Sequence, residues 1–233
     1  MNKRIVVTGG TKGIGRAIIE KFAAEGFEII TCARNADDLN ALKKAVEKQY
    51  SVKVHTSVVD VSKKNEVEAF GDFITAIGDV IVLVNNAGIF VPGQVHDEAD
   101  GIFEQLMTTN LNSAYYLTRK LIPSMKSAKR GHVFNMCSTA SIMPYVNGGS
   151  YCISKYAMLG MTKVLREEMK TFDVKVTAIM PGATYTASWE GSDMPEDRFM
   201  KSEDVADSVF SAYSLSKSAV VEEIIIRPQL GDL

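Results

Sequence analysis

What most restricts the fold of this chain is an alternation that runs its whole length. Short β-branched runs are each followed by a longer amphipathic stretch. That order is the signature of a parallel sheet covered by helices on both faces. It predicts strands at Arg4–Thr8, Phe27–Cys32, Val52–Ser57, Val80–Val84, His132–Met136, Lys175–Met180 and Val220–Ile226. Several are apolar throughout, as buried parallel strands should be. Helices are predicted at Ile14–Glu25, Ala36–Gln49, Lys63–Ile77, Ala99–Ser127, Ser150–Phe172 and Ser202–Leu215. In the first of these, Ile14, Ile18 and Phe22 fall four residues apart, and Ala17 and Ile19 broaden the stripe. The expected class is α/β, a doubly wound parallel sheet of about seven strands. No Gly, Pro or Ser-rich linker and no repeat divides the chain, so residues 1–233 are expected to form a single domain. The stretch 183–201 has little strand or helix signal and is a candidate substrate lid.

Composition removes whole classes of function. Lys+Arg 26 against Asp+Glu 28 leaves a net charge of -2, without the clustered basic excess that a nucleic-acid footprint needs. Cys32, Cys137 and Cys152 form no CxxC pair, and His55, His96 and His132 have no ligand spacing, so no metal is expected. Unpaired cysteines fit a reducing compartment, and the expected location is cytoplasmic. The longest apolar runs fall far short of the roughly 20 residues of a spanning helix. At the N-terminus, Lys3-Arg4 is followed by only Ile5-Val6-Val7 before Thr8-Gly9-Gly10, so no signal peptide is expected.

Chemistry enters immediately after the first strand, with Thr8-Gly9-Gly10-Thr11-Lys12-Gly13-Ile14-Gly15 and then a helix. Glycines there let the chain turn tightly and bring backbone N–H groups close to a pyrophosphate, toward which the helix N-terminus presents partial positive charge. This gives the sheet a Rossmann-like reading. A nucleoside-triphosphate P-loop is excluded, because that needs Gly-Lys followed by Ser or Thr, whereas Lys12 precedes Gly13.

The spacing of Thr8, Gly9, Gly13 and Gly15 resembles the TGxxxGxG motif of the classical short-chain dehydrogenases/reductases. Further matches follow in order: Asp60-Val61, Asn85-Asn86-Ala87-Gly88, Asn110, Ser138, Tyr151-Cys152-Ile153-Ser154-Lys155 and Pro181-Gly182. The resemblance implies a nicotinamide dinucleotide held by Gly9, Thr11, Lys12, Gly13, Ile14 and Gly15. It places Asp60 at the adenine with Val61 beside it, although Asp60 also suits a cap for the helix starting near Ser62. Asn85, Asn86, Ala87 and Gly88 would line the cofactor. Pro181-Gly182-Ala183-Thr184-Tyr185-Thr186 looks like the PGxVxT segment that reads the carboxamide, with Thr184 in place of the usual Val or Ile. An acid at the end of the second strand would bind the adenosine ribose of NAD and repel a 2′-phosphate. Here that position is Ala33, Arg34 beside it can clamp a phosphate, and Lys12 adds a second cation. NADP(H) is therefore the expected cofactor.

Tyr-x-x-x-Lys occurs three times, at Tyr116/Lys120, Tyr151/Lys155 and Tyr213/Lys217, each pair on one helix face. Only the middle pair has a serine thirteen residues upstream, Ser138, just past the carboxyl end of a strand, where open parallel sheets bind ligands. A phenol is a reluctant acid near neutral pH and needs a neighbouring cation, which Lys155 supplies one turn along. The expected catalytic set is Tyr151 as proton donor, Ser138 as hydrogen-bond partner of the same oxygen, and Lys155. The resemblance adds that Lys155 binds the nicotinamide ribose hydroxyls, that Tyr151 also belongs to the cofactor-binding set, and that Asn110 holds a water in a proton relay.

Substrate identity lies in the loops over the cofactor. Phe90, Met143, Tyr145, Trp189, Met194 and Phe199 are candidate lining residues, giving a partly apolar pocket for a small ketone, aldehyde, alcohol or hydroxy acid. With only Arg227-Pro228-Gln229-Leu230 and three more residues beyond the last strand, no large C-terminal substrate domain is expected. Two other readings stay open. Lys126, Lys129 and Arg130 form a basic group that would suit a 3-oxoacyl-[acyl-carrier-protein] reductase. A non-catalytic NADP-binding regulator is the alternative of another class. The resemblance also implies a homodimer or homotetramer through the two long helices ending near Ser127 and Phe172, where Ala157 and Gly160 permit close approach.

Overall fold

A parallel ladder has to be closed by a crossover, and each strand of this chain but the last is followed by a helix that makes one. The computed structural model describes residues 3–186 and 194–232. Its strands are β1 (Arg4–Thr8), β2 (Glu28–Ala33), β3 (Val54–Val58), β4 (Val82–Asn85), β5 (Gly131–Met136), β6 (Val174–Pro181) and β7 (Glu223–Ile226). The helices are α1 (Gly13–Ala24), α2 (Ala36–Tyr50), α3 (Lys64–Ile77), α4 (Ile102–Met107), α5 (Ser113–Ala128), α6 (Gly149–Met169) and α7 (Ser202–Ser214). All seven strands join one sheet in the order β3-β2-β1-β4-β5-β6-β7, every pair parallel. The order reverses between β1 and β4, which opens a crevice at the carboxyl ends of those strands.

Side-chain alternation divides the core. Ile5 and Val7 of β1 face α1 and α7, packing with Ile18, Phe22, Val205 and Val209. Val6, one residue out of phase, joins the opposite face with Phe70 of α3 and Leu117 and Leu121 of α5. β7 is a half-exposed edge, and Lys163 pairs with Glu223 there at 3.0 Å.

Three expectations from sequence shift. The single helix expected over Ala99–Ser127 is divided: α4 ends at Met107, a π-helical turn spans Thr108–Asn112, and α5 continues from Ser113. Val80 is buried and apolar yet precedes the ladder, because β4 pairs only from Val82. The last strand starts at Glu223, not Val220, since its pairing with β6 begins at Ala178↔Glu223. Of the expected lid, residues 187–193 with Trp189 lie outside the described residues; the flanks meet where Thr184 bridges Met200 and Tyr185 N–H donates to the Met200 carbonyl at 2.9 Å.

Candidate active site

At the end of β1 the backbone turns through Gly9 and Gly13, whose φ angles of 67° and 53° lie in the left-handed region that a Cβ penalises. The Gly9 N–H donates to the Cys32 carbonyl at 2.9 Å, which fixes the loop to β2. Gly15 lies so close beneath it that an added Cβ would run into the Gly9 carbonyl and the Asn86 amide. Thr8 ties the loop to the end of β4: its hydroxyl accepts from Asn86 N–H at 3.0 Å and from Ala87 N–H at 2.9 Å. The Asn86 amide donates back to the Thr8 carbonyl at 2.9 Å.

Two neighbouring helices begin differently. At α2, the Asn35 side chain accepts from the Asp37 and Asp38 N–H groups, and those two acids occupy the first turn. At α1 there is no side-chain cap and no acid in the first turn. Its N-terminal N–H groups are thus left for an external acceptor, and the positive end of the helix dipole points at the glycine loop. A cradle that a Cβ would fill, at an uncapped helix start, fits a dinucleotide pyrophosphate.

Beyond β2, Arg34 is exposed just ahead of α2, and Lys12 of the glycine loop lies 3.5 Å from the carboxylate of Asp38 in the first turn of that helix. The Asp60 carboxylate accepts from both the hydroxyl and the N–H of Ser62, at 2.7 and 3.1 Å. Chiefly through the Ser62 hydroxyl, with Lys63 and Arg34 contributing, its pKa sits below the usual carboxylate value. Val61 is partly buried against the α3 side of the core.

On the other side of the switch point a cleft of about 420 Å³ is lined by Ser138, Tyr151 and Lys155 together with Ile14, Asn86, Gly88, Pro181, Gly182, Thr184 and Thr186. Strand β5 ends at Met136 and delivers Ser138 to its floor. There the Ser138 hydroxyl accepts from Ala140 N–H at 3.1 Å, and it donates to none of the described residues. Helix α6 carries Tyr151 and Lys155 on one face. The Lys155 ammonium is buried, 5.7 Å from the centre of the Tyr151 ring, and donates to the Met136 carbonyl at 2.8 Å. A Cβ at Gly88 would lie 3.7 Å from Lys155 Nζ, which shows how closely that backbone passes.

Asn110 is buried behind this wall. Its side-chain oxygen accepts from Ile89 N–H at 2.8 Å, and its amide donates to the Ile89 carbonyl and to Ser154 Oγ, each at 3.0 Å. The π-helical turn gives Asn110 that reach, and the amide pins the backbone that presents Gly88 and Phe90. Phe90 packs edge-on against Tyr151 at 5.0 Å. Across the cleft, Thr184 Oγ1 donates to the Gly182 carbonyl at 3.1 Å, and the Thr186 methyl would stand 3.0 Å from a Cβ on Gly13.

The other Tyr-x-x-x-Lys pairs are packing residues. Tyr213 belongs to an aromatic cluster with Phe22, Phe27 and Phe210, and Lys64 sits 4.9 Å over the Tyr116 ring. Asn85 corrects an expectation: its amide is buried between Thr118 and Asn135, at 3.0 and 2.8 Å, and does not line the cleft. Of the expected lining residues, Phe90, Met143 and Tyr145 are present, whereas Phe199 packs on Tyr185 and Met194 is exposed outside it. Desolvation raises the Tyr145 pKa, leaving a neutral wall. Burial likewise pushes the Cys137 thiol up to about 11, so it is no nucleophile. Sequence reasoning missed Thr139 and Asp232. Asp232 reaches the cleft beside Gly182 while paired to Arg227 at 2.9 Å, and no motif signals it. No group of metal-ligating side chains occurs among the described residues, and none of their helices is long and apolar enough to cross a membrane.

Comparison with known proteins agrees with this geometry. A family model described as short chain dehydrogenase matches residues 3–196. The chain is 32% identical over 242 aligned positions to a sepiapterin reductase of Chlorobaculum tepidum, spanning 100% of this chain and 99% of that one. An alcohol dehydrogenase from the archaeon Thermococcus sibiricus, complexed with 5-hydroxy-NADP, superposes with a TM-score of 0.91 at 27% identity, over 98% of this chain and 97% of that one. L-Sorbose reductase from Gluconobacter frateurii, complexed with NADPH and L-sorbose, gives 0.90 at 25% identity, over 97% and 95%. The matched model, the full-length relative and the parallel sheet with its glycine cradle lead to one assignment: this chain belongs to the short-chain dehydrogenase family.

Proposed function

We propose that the protein is an NADP(H)-dependent oxidoreductase acting on a small carbonyl compound or the corresponding alcohol. The observation that carries this reading is one cleft, joined to the glycine cradle, that holds Ser138, Tyr151 and Lys155 together. Gly9, Gly13, Ile14 and Gly15 would hold the pyrophosphate, Arg34 and Lys12 the 2′-phosphate, and Asn86, Gly88 and the 181–186 segment the nicotinamide half. When bound, the reduced nicotinamide supplies the hydride. Tyr151 gives its phenolic proton to the carbonyl oxygen, and the O–H of Ser138 donates a hydrogen bond to that same oxygen. Lys155 places a positive charge beside the ring, where it stabilises the phenolate left by proton transfer. Asn110 keeps Gly88 and Ile89 in register with these groups. A cleft of about 420 Å³, shared with the nicotinamide, supports a small substrate.

The carrier-protein reductase reading is weaker on geometry. Lys126, Lys129 and Arg130 lie at the end of α5, just before β5 begins, whereas the cleft opens at the carboxyl ends of the strands. The regulator reading would use Lys155 to hold the cofactor but gives no role to Ser138 and Tyr151 facing the same cleft. Pairing of two copies accompanies the proposal: Tyr115, Ile153, Tyr156 and Val164 are exposed on α5 and α6, and nothing lies within 4 Å of a Cβ on Gly160. The test is oxidation of NADPH and of NADH against a panel of small ketones, aldehydes and 3-oxoacyl thioesters. Turnover with kcat/KM favouring NADPH is expected; preference for NADH, or tight NADPH binding with no turnover on any substrate, refutes it.

A further inference from the structure

Tyr151 is only the third residue of α6, so the catalytic phenol stands on the turn of a helix that is least held by its own hydrogen bonds. Local sequence does little to secure that turn. The residue before the helix is Gly148, which has no side chain to cap with; the first turn carries no acid; and Gly149 sits at a φ of 33°. The support comes from another part of the chain. Glu98, 52 residues away, accepts the Ser150 N–H on Oε1 at 2.8 Å, and the Ser150 hydroxyl donates to its Oε2. Its carboxylate lies where a Cβ on Gly149 would stand, so glycine is required for the approach. Backbone contacts reinforce the same joint: Gly93 N–H donates to the Asn147 carbonyl at 3.1 Å, and Gly93 bridges Gly148.

The segment from Ile89 to Glu98 is thereby held to α6 at both ends. At its start Ile89 is gripped by Asn110, which also bonds Ser154; at its end Glu98 grips Ser150. Between them Phe90 meets the Tyr151 ring edge-on. We infer that Glu98 is a positioning residue for Tyr151, tethering the first turn of α6 so that the phenol keeps its place between the cofactor side and Ser138. This rests on Tyr151 being the proton donor.

The experiment compares wild type, Glu98→Ala and Glu98→Gln, with kcat normalised to NADPH-binding sites, and follows hydrogen exchange of the peptide containing residues 148–155. Glu98→Ala is expected to lower kcat at least tenfold, to leave the KM for NADPH within twofold, and to speed exchange in that peptide. Glu98→Gln keeps an acceptor for the Ser150 N–H and a polar partner for its hydroxyl, and is expected to restore kcat to within about threefold of wild type together with slow exchange. The tether is overturned if Glu98→Ala keeps wild-type kcat or unchanged exchange, or if Glu98→Gln is as impaired as Glu98→Ala. Exchange reads the tether without any substrate, so wild-type protein inactive on every carbonyl would refute the proposed function while the exchange result still decides for or against the tether.

Discussion

Tyr151 contributes one oxygen to the cleft, and the proposed chemistry turns on that atom. Replacing it by phenylalanine removes the proton donor while leaving the ring to pack on Phe90. Tyr151→Phe should therefore lower kcat/KM by about 10³, the size of a lost general acid, with NADPH affinity by fluorescence titration within about threefold of wild type. At the far end of the cradle, Arg34 has the guanidinium that can hold a 2′-phosphate, whereas Lys12 is partly occupied by Asp38 at 3.5 Å. Arg34→Ala should raise the KM for NADPH about tenfold, roughly 1.4 kcal/mol, and leave that for NADH nearly unchanged. An equal rise for both cofactors would remove Arg34 from phosphate recognition.

The unit that binds is the β1–loop–α1 element, and its tolerance is set by backbone contact. A Cβ at Gly15 collides with the Gly9 carbonyl, so Gly15→Ala must push α1 off the loop or distort both. Overpacking of this kind costs about 1–3 kcal/mol. For a chain of this size that lowers Tm by about 2–4 °C per kcal/mol, and NADPH affinity should fall at least tenfold along with it. Elements like this one were legible beforehand, because Thr8 to Gly15 state the strand end, the turn and the helix start in eight consecutive residues. The middle Tyr-x-x-x-Lys pair was legible for a similar reason, since Ser138 upstream singles it out. What escaped the sequence is long-range or depends on hydrogen-bond register. The π-helical turn at Thr108–Asn112 leaves the apolar spacing almost unchanged, yet it brings Asn110 onto Ile89. Asn85 shares its motif with residues of the cleft, but strand alternation turns its side chain into the sheet interior, toward Asn135. Glu98 bonds Ser150, 52 residues away, and no local pattern encodes such a contact.

Across the whole molecule, acid should weaken the fold, and His132 shows why. It lies in β5 with its Nε2 2.7 Å from Thr177 Oγ1 and its ring stacked 3.9 Å from Phe134. Thr177 Oγ1 donates to the Val221 carbonyl at 2.6 Å, so it accepts from a neutral, Nε2-protonated ring. Burial, helped by Lys175, brings the pKa of His132 down to about 3 in the folded protein, against about 6.5 when unfolded. Between those values the unfolded chain binds the extra proton, so stability is complete above about pH 6.5 and is lost progressively as pH falls toward 3. The carboxylate of Asp60, held below its ordinary pKa by Ser62, works in the same direction at lower pH. The histidine alone predicts a loss of about 2 kcal/mol between pH 7 and pH 5. Urea unfolding at the two pH values measures it. His132→Gln, which keeps a donor for Thr177 and cannot titrate, should be less stable at pH 7 but nearly flat between the two. A wild type equally stable at pH 5 and pH 7, or a variant with the same slope, would show that this histidine does not govern the acid limit of the fold.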